Sequence, residues 1–363
     1  MKQTYYLLVL VMILGCTKDQ STRFDFQTFS KPKENPVLMA DSTFTFVDPI
    51  KNAEVKWQKA DVFNPAAIVK DSLVYLLYRC EDNPAAILGG RTSRIGLASS
   101  TDGIHFTKYP KPVLYPDSSE FMAFDYPGGC EDPRVVQTEE GLYVMAYTSW
   151  NYKVARLSIA FSKDLVNWEK QGLAFAKASN GKFSETWSKS ASIITKMIGD
   201  KQVAAKIDGK YWMYWGEAFV NLAWSDNLKD WNPVLDEKGE LKALISPRKG
   251  KFDSRLTECG PPAIINHEGI VLLYNGKNAE NEDADPYLPK GTYSVGKVVF
   301  DVNNPEKVIS RLDTCFLKPT LPHEVSGQYK SGTTFAEGLV YFKSKWFLYY
   351  GTADSFVGVA VSE

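Results

Sequence analysis

From about residue 40 to the C-terminus the chain is written in short apolar or alternating runs, punctuated by Gly, Asp and Asn. No stretch carries the sustained three-to-four-residue spacing of a long amphipathic helix, so the pattern predicts strands throughout. The runs also recur. One unit reads Ile95-Gly96-Leu97-Ala98-Ser99-Ser100-Thr101-Asp102-Gly103-Ile104-His105-Phe106, with copies that run from Leu157 to Trp168 and from Leu222 to Trp231. Weaker copies begin at Val295 and Val357. Aligning Ala98, Ala160, Ala223, Val298 and Ala360 gives steps of 62, 63, 75 and 62 residues. An aromatic-rich strand precedes each copy, ending at Tyr78, Tyr147, Trp215, Tyr274 and Tyr350, and a third strand begins near Pro65, Pro133, Ala191, Pro262 and Thr333. Five copies of a three- or four-stranded sheet predict an all-β fold, a five-bladed β-propeller with a central active-site pocket. A β-sandwich is the alternative, and it leaves the five similar steps unexplained. The long fourth step places an insertion at residues 280–290.

In a propeller the first strand of each blade lines the central channel. Asn64 precedes Pro65, Asp132 precedes Pro133, and Glu258 opens Glu258-Cys259-Gly260-Pro261-Pro262, so these three converge on one axis. Asp132 belongs to Gly128-Gly129-Cys130-Glu131-Asp132-Pro133-Arg134-Val135-Val136, where adjacent carboxylates and a guanidinium stand between a flexible glycine pair and a strand. A second polar set follows the second strand of each blade: Arg79 with Glu81 and Asp82, Glu217, Asn275 with Lys277, and Asp354. Glu81, Asp82 and Lys277 read equally well as turn residues. Glu217 follows the apolar run Met213-Tyr214-Trp215-Gly216, where a carboxylate requires a partner or a purpose.

Composition narrows the chemistry. Forty-two basic against 43 acidic residues give no argument for nucleic acid or an anionic surface. The three His neighbour no acidic strand end, and Gly-x-Ser-x-Gly, His-Glu-x-x-His and P-loop patterns are absent, which removes serine hydrolases, zinc hydrolases and kinases. The cysteines show no Cys-x-x-Cys spacing, so neither a metal nor a cofactor is expected. Carboxylates and arginines without a metal suit glycosidic cleavage, one carboxyl protonating the leaving oxygen and another activating water.

The first sixteen residues read as a targeting segment, with Lys2 ahead of an apolar core at residues 6–14. Ile13-Leu14-Gly15-Cys16 resembles a bacterial lipoprotein processing site, with Ile where Leu is usual. Cys16 would then carry the lipid, residues 17–35 would form a polar tether, and residues 36–363 the catalytic propeller. An exported lipoprotein, periplasmic or outer-membrane associated, is expected. Cys80, Cys130, Cys259 and Cys315 default to packing thiols, with a Cys130–Cys259 or Cys80–Cys130 bridge left open.

Asn64-Pro65-Ala66, Leu77-Tyr78-Arg79-Cys80-Glu81-Asp82, Ser93-Arg94-Ile95-Gly96-Leu97-Ala98, Gly129-Cys130-Glu131-Asp132-Pro133-Arg134 and Tyr350-Gly351-Thr352-Ala353-Asp354 together resemble glycoside hydrolase family 130, the β-mannoside phosphorylases and β-mannosidases. The resemblance implies a five-bladed propeller with Asp132 as general acid, its proton passing through the 3-hydroxyl of the mannosyl unit. It implies that Asn64, Arg79, Asp82, Arg94, Arg134 and Asp354 hold the non-reducing mannose; Asn275, Lys277 and Tyr350 join them as substrate-binding candidates. Family phosphorylases bind phosphate with a basic cluster. Here the stretch after the acid motif offers only Lys153 and Arg156, and Glu217 and Glu258 take the pocket positions. That favours the hydrolytic, inverting subgroup acting on β-1,2-linked mannosides, with Glu217 or Glu258 as base. A phosphate-dependent β-1,4-mannosyl phosphorylase is the alternative, and a non-catalytic glycan-binding lipoprotein a third.

Overall fold

The computed structural model describes residues 28–86 and 90–362; Cys16, the targeting segment and most of the expected tether lie outside them. The described chain is all-β, interrupted by one four-residue α-helix, Met122–Asp125, and short 3-10 turns. Consecutive strands pair antiparallel in five sets. The first joins Asp61–Lys70, Leu73–Glu81, Ser93–Ser100 and Thr107–Lys108. The second joins Gly129–Gln137, Tyr143–Trp150, Ala155–Ser162 and Trp168–Leu173. Ala191–Ile193, Lys210–Trp215, Asn221–Ser225 and Asn232–Pro233 make the third. In the fourth, Leu256–Cys259 and Ile264–Asn266 both pair with Gly269–Lys277, followed by Tyr293–Asp301 and Asn304–Arg311.

The fifth set, Phe335–Phe342, Lys345–Thr352 and Phe356–Ser362, takes its outer strand from the start of the described chain, where Phe29–Ser30 pairs with Ser362 and Val361. Residues from Phe29 onward, expected to end a tether, are therefore part of the folded body. Phe29 packs its ring against Phe316 at 5.5 Å, and the Asn35 amide both donates to and accepts from the Val359 backbone. Burial of an aromatic ring and saturation of a strand edge outweigh the polar character of the neighbouring residues.

Five apolar clusters fill the spaces between sets. Leu77, Ile95, Leu97, Val135 and Met145 join the first and second; Ile159, Ala191 and Met213 lie in the cluster joining second and third. Tyr214, Leu222, Leu272 and Val298 join third and fourth, and Leu273, Val299, Leu339 and Leu348 fourth and fifth. The fifth cluster packs Val340, Phe347 and Val359 of the last set onto Val62, Leu76 and Tyr78 of the first. The strand pattern alternates because each sheet feeds side chains into two such clusters, one on each face. Cys80, Cys130 and Cys259 are buried as packing thiols and, like Cys315, are unbridged. The insertion at residues 280–290 is held by Asn278, whose amide donates to the carbonyls of Asp285, Leu288 and Pro289.

The recurring Ser-x-Asp element is a side-chain-capped turn. Ser162 Oγ accepts from the backbone N–H of Asp164 and Leu165, and Asp164 accepts from those of Val166 and Asn167. Trp168 then folds back, its indole N–H donating to the Leu165 carbonyl at 2.8 Å. Ser225, Asn227 and Trp231 repeat the arrangement. Because Ser162 is buried, Ser162→Ala leaves the Leu165 N–H without an acceptor and should cost about 1–2 kcal/mol. Urea unfolding should show a lower midpoint with an unchanged slope; an unchanged midpoint would mean the turn is held by other contacts.

Candidate active site

Two of the inner strands are bulged where they approach the pocket. The register slips between Phe63 and Pro65 and between Glu131 and Arg134, and Asn64 and Asp132 take left-handed backbones, φ +49° and +47°. Asn and Asp tolerate this region better than other non-glycine residues, and a bulge re-aims the side chain it carries. Here both point at one another: Asn64 Nδ2 donates to Asp132 Oδ1 at 2.9 Å. Gly351 makes room for this, since a Cβ there would lie 2.0 Å from Asn64 Oδ1.

The pocket these strands surround encloses about 300 Å³. Asn64, Arg79, Asp132, Glu217, Glu258 and Asp354 all line it, so the three proposed catalytic carboxyls share one cavity. Other expected residues lie behind the wall. Arg94 is fully buried and paired with Asp48 at 2.7 Å and Asp82 at 3.0 Å. Arg134 braces the acid strand against its neighbours, donating to the carbonyls of Asp132 and Cys259, each at 3.0 Å, and pairing with Glu337 at 3.0 Å. Asn275 exchanges two hydrogen bonds with the backbone of Ala336, and Tyr350 donates to Glu324. Lys277 stands over the rings of Tyr293 and Tyr329, both of which line the pocket. Asp82, Arg94, Arg134, Asn275, Lys277 and Tyr350 are therefore not among the residues that line the cavity. Sequence motifs do not separate a wall residue from the brace behind it.

Lys189 is the residue that sequence reading missed. It lines the pocket with its ammonium 3.5 Å from Asp132 Oδ2. It stands two residues before Ala191; Ser190, with φ +57°, holds the repeat position that Asn64 and Asp132 occupy before their own strands, so the alignment of repeats marks its neighbour and not Lys189 itself. Trp187, Trp150, Glu131 and Phe335 also line the pocket.

Charge in this space is closely balanced. Arg79 contacts Glu81 at 2.8 Å, Glu131 at 2.8 Å and Asp132 at 3.2 Å. Burial pushes Asp132 upward, but Arg79, Lys189, Arg134 and the Asn64 amide outweigh it and hold the carboxyl well below its ordinary value. Its neighbour Glu131 is pushed up to about 7, mostly by burial. Glu258 is likewise raised to about 7 by burial, against the opposing pull of Lys189 and of the Ser190 hydroxyl, which donates at 2.5 Å. Asp354 rises to about 6, again chiefly from burial. Several carboxyls poised near neutrality in one cleft mark a site of acid–base chemistry. Among the described residues no group of three or more His, Cys, Asp or Glu side chains is arranged to hold a metal ion.

A polar, carboxylate-rich pocket ringed by Trp and Tyr on an all-β frame defines a carbohydrate-active site. The chain belongs to glycoside hydrolase family 130, enzymes that act on β-mannosides: the family model described as beta-1,4-mannooligosaccharide phosphorylase matches residues 30–363. A 1,2-beta-oligomannan phosphorylase from Thermoanaerobacter sp. (strain X514) is 31% identical over 315 residues, covering 86% of this chain and 93% of that protein. A glycosyl hydrolase from Bacteroides ovatus superposes with a TM-score of 0.91 at 50% identity, over 93% of this chain and 94% of its own. With the same TM-score, identity and coverage, a further solved structure comes from work describing glycoside hydrolases in the family "that target beta-1,2 mannosidic linkages in Candida mannan".

Glu258 is ionised above about pH 7, and Lys189 favours that ionised form. Lys189→Met removes a group that lowers the Glu258 pKa, so the acidic limb of kcat/KM should move to higher pH; Lys189→Arg should leave it near its wild-type position. A pH–rate profile that does not move in Lys189→Met would show that this pair does not set the limb.

Proposed function

We propose that this chain is an exported β-mannosidase that hydrolyses β-1,2-linked manno-oligosaccharides with inversion, on a five-bladed propeller whose axis holds the pocket. The observation that carries the hydrolytic reading is the charge of the lining. Among its residues stand two cations, Arg79 and Lys189, against Glu131, Asp132, Glu217, Glu258 and Asp354. Both cations are already ion-paired to carboxylates, so an entering phosphate dianion would meet positive charge that is spent and negative charge that repels it. Water carries no such penalty, and a carboxylate poised near neutrality can take its proton.

Asn64, Arg79 and Asp354 are the groups we assign to the terminal mannose. Asp132 is the proton donor, through a sugar hydroxyl as the family resemblance implies. Arg79, Lys189 and Arg134 favour the ionised Asp132 carboxylate, so in this reading the proton is taken up as the sugar binds. Sugar hydroxyls displacing Lys189, and the loss of residual water, both raise the Asp132 pKa. Glu131, near 7 and bound to the same guanidinium, is a proton source within that network. Glu217 and Glu258 activate and orient the attacking water, Glu258 from the more rigid mount.

The blade count is supported by the five strand sets and by the apolar cluster joining last to first. Export rests on the lysine-led apolar segment that ends at Cys16. Phosphorolysis remains the second reading, favoured by the activities named for the 31%-identical relative and the matching family model.

Rates on a β-1,2-manno-oligosaccharide should be the same in phosphate-free buffer as with phosphate added, with free mannose as product. Turnover only with phosphate, yielding mannose 1-phosphate, would establish the phosphorylase. Asp132→Asn should keep the fold and lose roughly 10²–10⁴-fold in kcat, the contribution of a general acid; near-normal turnover would remove Asp132 from that role.

A further inference from the structure

Trp187 is at once the most exposed tryptophan described at the pocket and a direct partner of a candidate base. Half of its surface is open, at 50% relative exposure, yet its indole N–H donates to Glu217 Oε2 at 2.7 Å. Its ring meets Trp150 edge to face, centroids 5.8 Å apart, and Trp150 in turn meets Tyr152, itself 41% exposed, at 6.3 Å. Trp150 and Trp187 line the cavity beside Glu217, while Asn64, Arg79 and Asp132 are almost wholly buried at its floor. The pocket is thus graded from hydrogen-bonding groups at depth to aromatic surface at the mouth.

A sugar chain whose terminal unit is fixed at the floor leaves by way of that mouth. Pyranose rings present C–H faces that pack on aromatic faces, and an exposed ring held at its N–H edge is a preorganised platform for one. We propose that Trp187 is the platform for the leaving-group sugar and, through the same ring, the positioning residue for Glu217. The ring then couples recognition to chemistry: a sugar resting on it restrains the indole, and the indole restrains the carboxylate that faces the attacking water. Binding energy from a part of the substrate that does not react would in this way appear in kcat as well as KM.

The two roles separate by substitution. Trp187→Phe keeps an aromatic face and removes the N–H; Trp187→Leu removes both. The substrates are a manno-oligosaccharide and methyl β-mannoside, whose aglycone is too small to rest on the ring. With Trp187→Phe, kcat on the oligosaccharide should fall about tenfold or more, the worth of a hydrogen bond to a charged group, while KM stays within about twofold. With Trp187→Leu, KM for the oligosaccharide should also rise about tenfold, and KM for methyl β-mannoside should not. Unchanged kcat in Trp187→Phe would overturn the positioning role, and equal KM changes on both substrates in Trp187→Leu would overturn the platform. The Glu217 half rests on the hydrolytic reading. Running each assay with and without phosphate keeps the two apart, because the KM contrast between substrates reads the platform whichever nucleophile is used.

Discussion

Compensation of buried charge by two cations is the constraint on which the rest of this site depends. Arg79 binds Glu81, Glu131 and Asp132 together, and Lys189 stands between Asp132 and the Glu217–Glu258 side. A carboxylate taken out of water without a partner protonates or unfolds its surroundings. Even with Arg134 adding its charge from behind the lining, burial outweighs these cations at some of the cluster, and Glu131 and Glu258 sit near their protonation midpoint. The same balance that lets the pocket exist therefore supplies groups able to exchange protons at neutral pH.

The frame serves that balance by rigidity. Arg134 is buried and spends its donors on the carbonyls of two inner strands and on Glu337, so the mounts of Asp132 and of Glu258 are tied to each other. Glu337 is itself fully buried, and burial pushes its pKa well up against the opposing pull of Arg134. Bulges at Asn64 and Asp132 then turn the two side chains inward, and the strands resume their pairing on the far side of each slip, at Pro65 with Tyr78 and at Arg134 with Ala146. Placement of Asp132 and Glu258 is set by the strands that carry them, which hold position better than a loop could.

The all-β class was legible because alternation is a consequence of sheets packed face on face, and each sheet writes the same pattern. That Asp132, Glu217 and Glu258 share one pocket was legible because repeat register marks strand ends. What sequence could not separate was depth: Arg94, Arg134 and Asn275 look like ligands in a motif but are spent on Asp48, on backbone carbonyls and on Ala336. Lys189 and Trp187 were hidden because they fall in the Trp187-Ser188-Lys189-Ser190 segment, which lacks the apolar run and the Pro that flag the other strand starts. The strand at Phe29–Ser30 was masked by its polar neighbours, since its stabilisation comes from an edge more than three hundred residues away.

The most direct test of the charge-balance account is the identity and anomeric form of the first product, followed by proton NMR in phosphate-free deuterated buffer at early times. Water activated opposite Asp132 should deliver α-mannose first, with the β-anomer growing in only by mutarotation. Initial β-mannose would require a covalent intermediate that this arrangement does not provide for. No mannose at all until phosphate is added would mean that the pocket's cations are not spent as described.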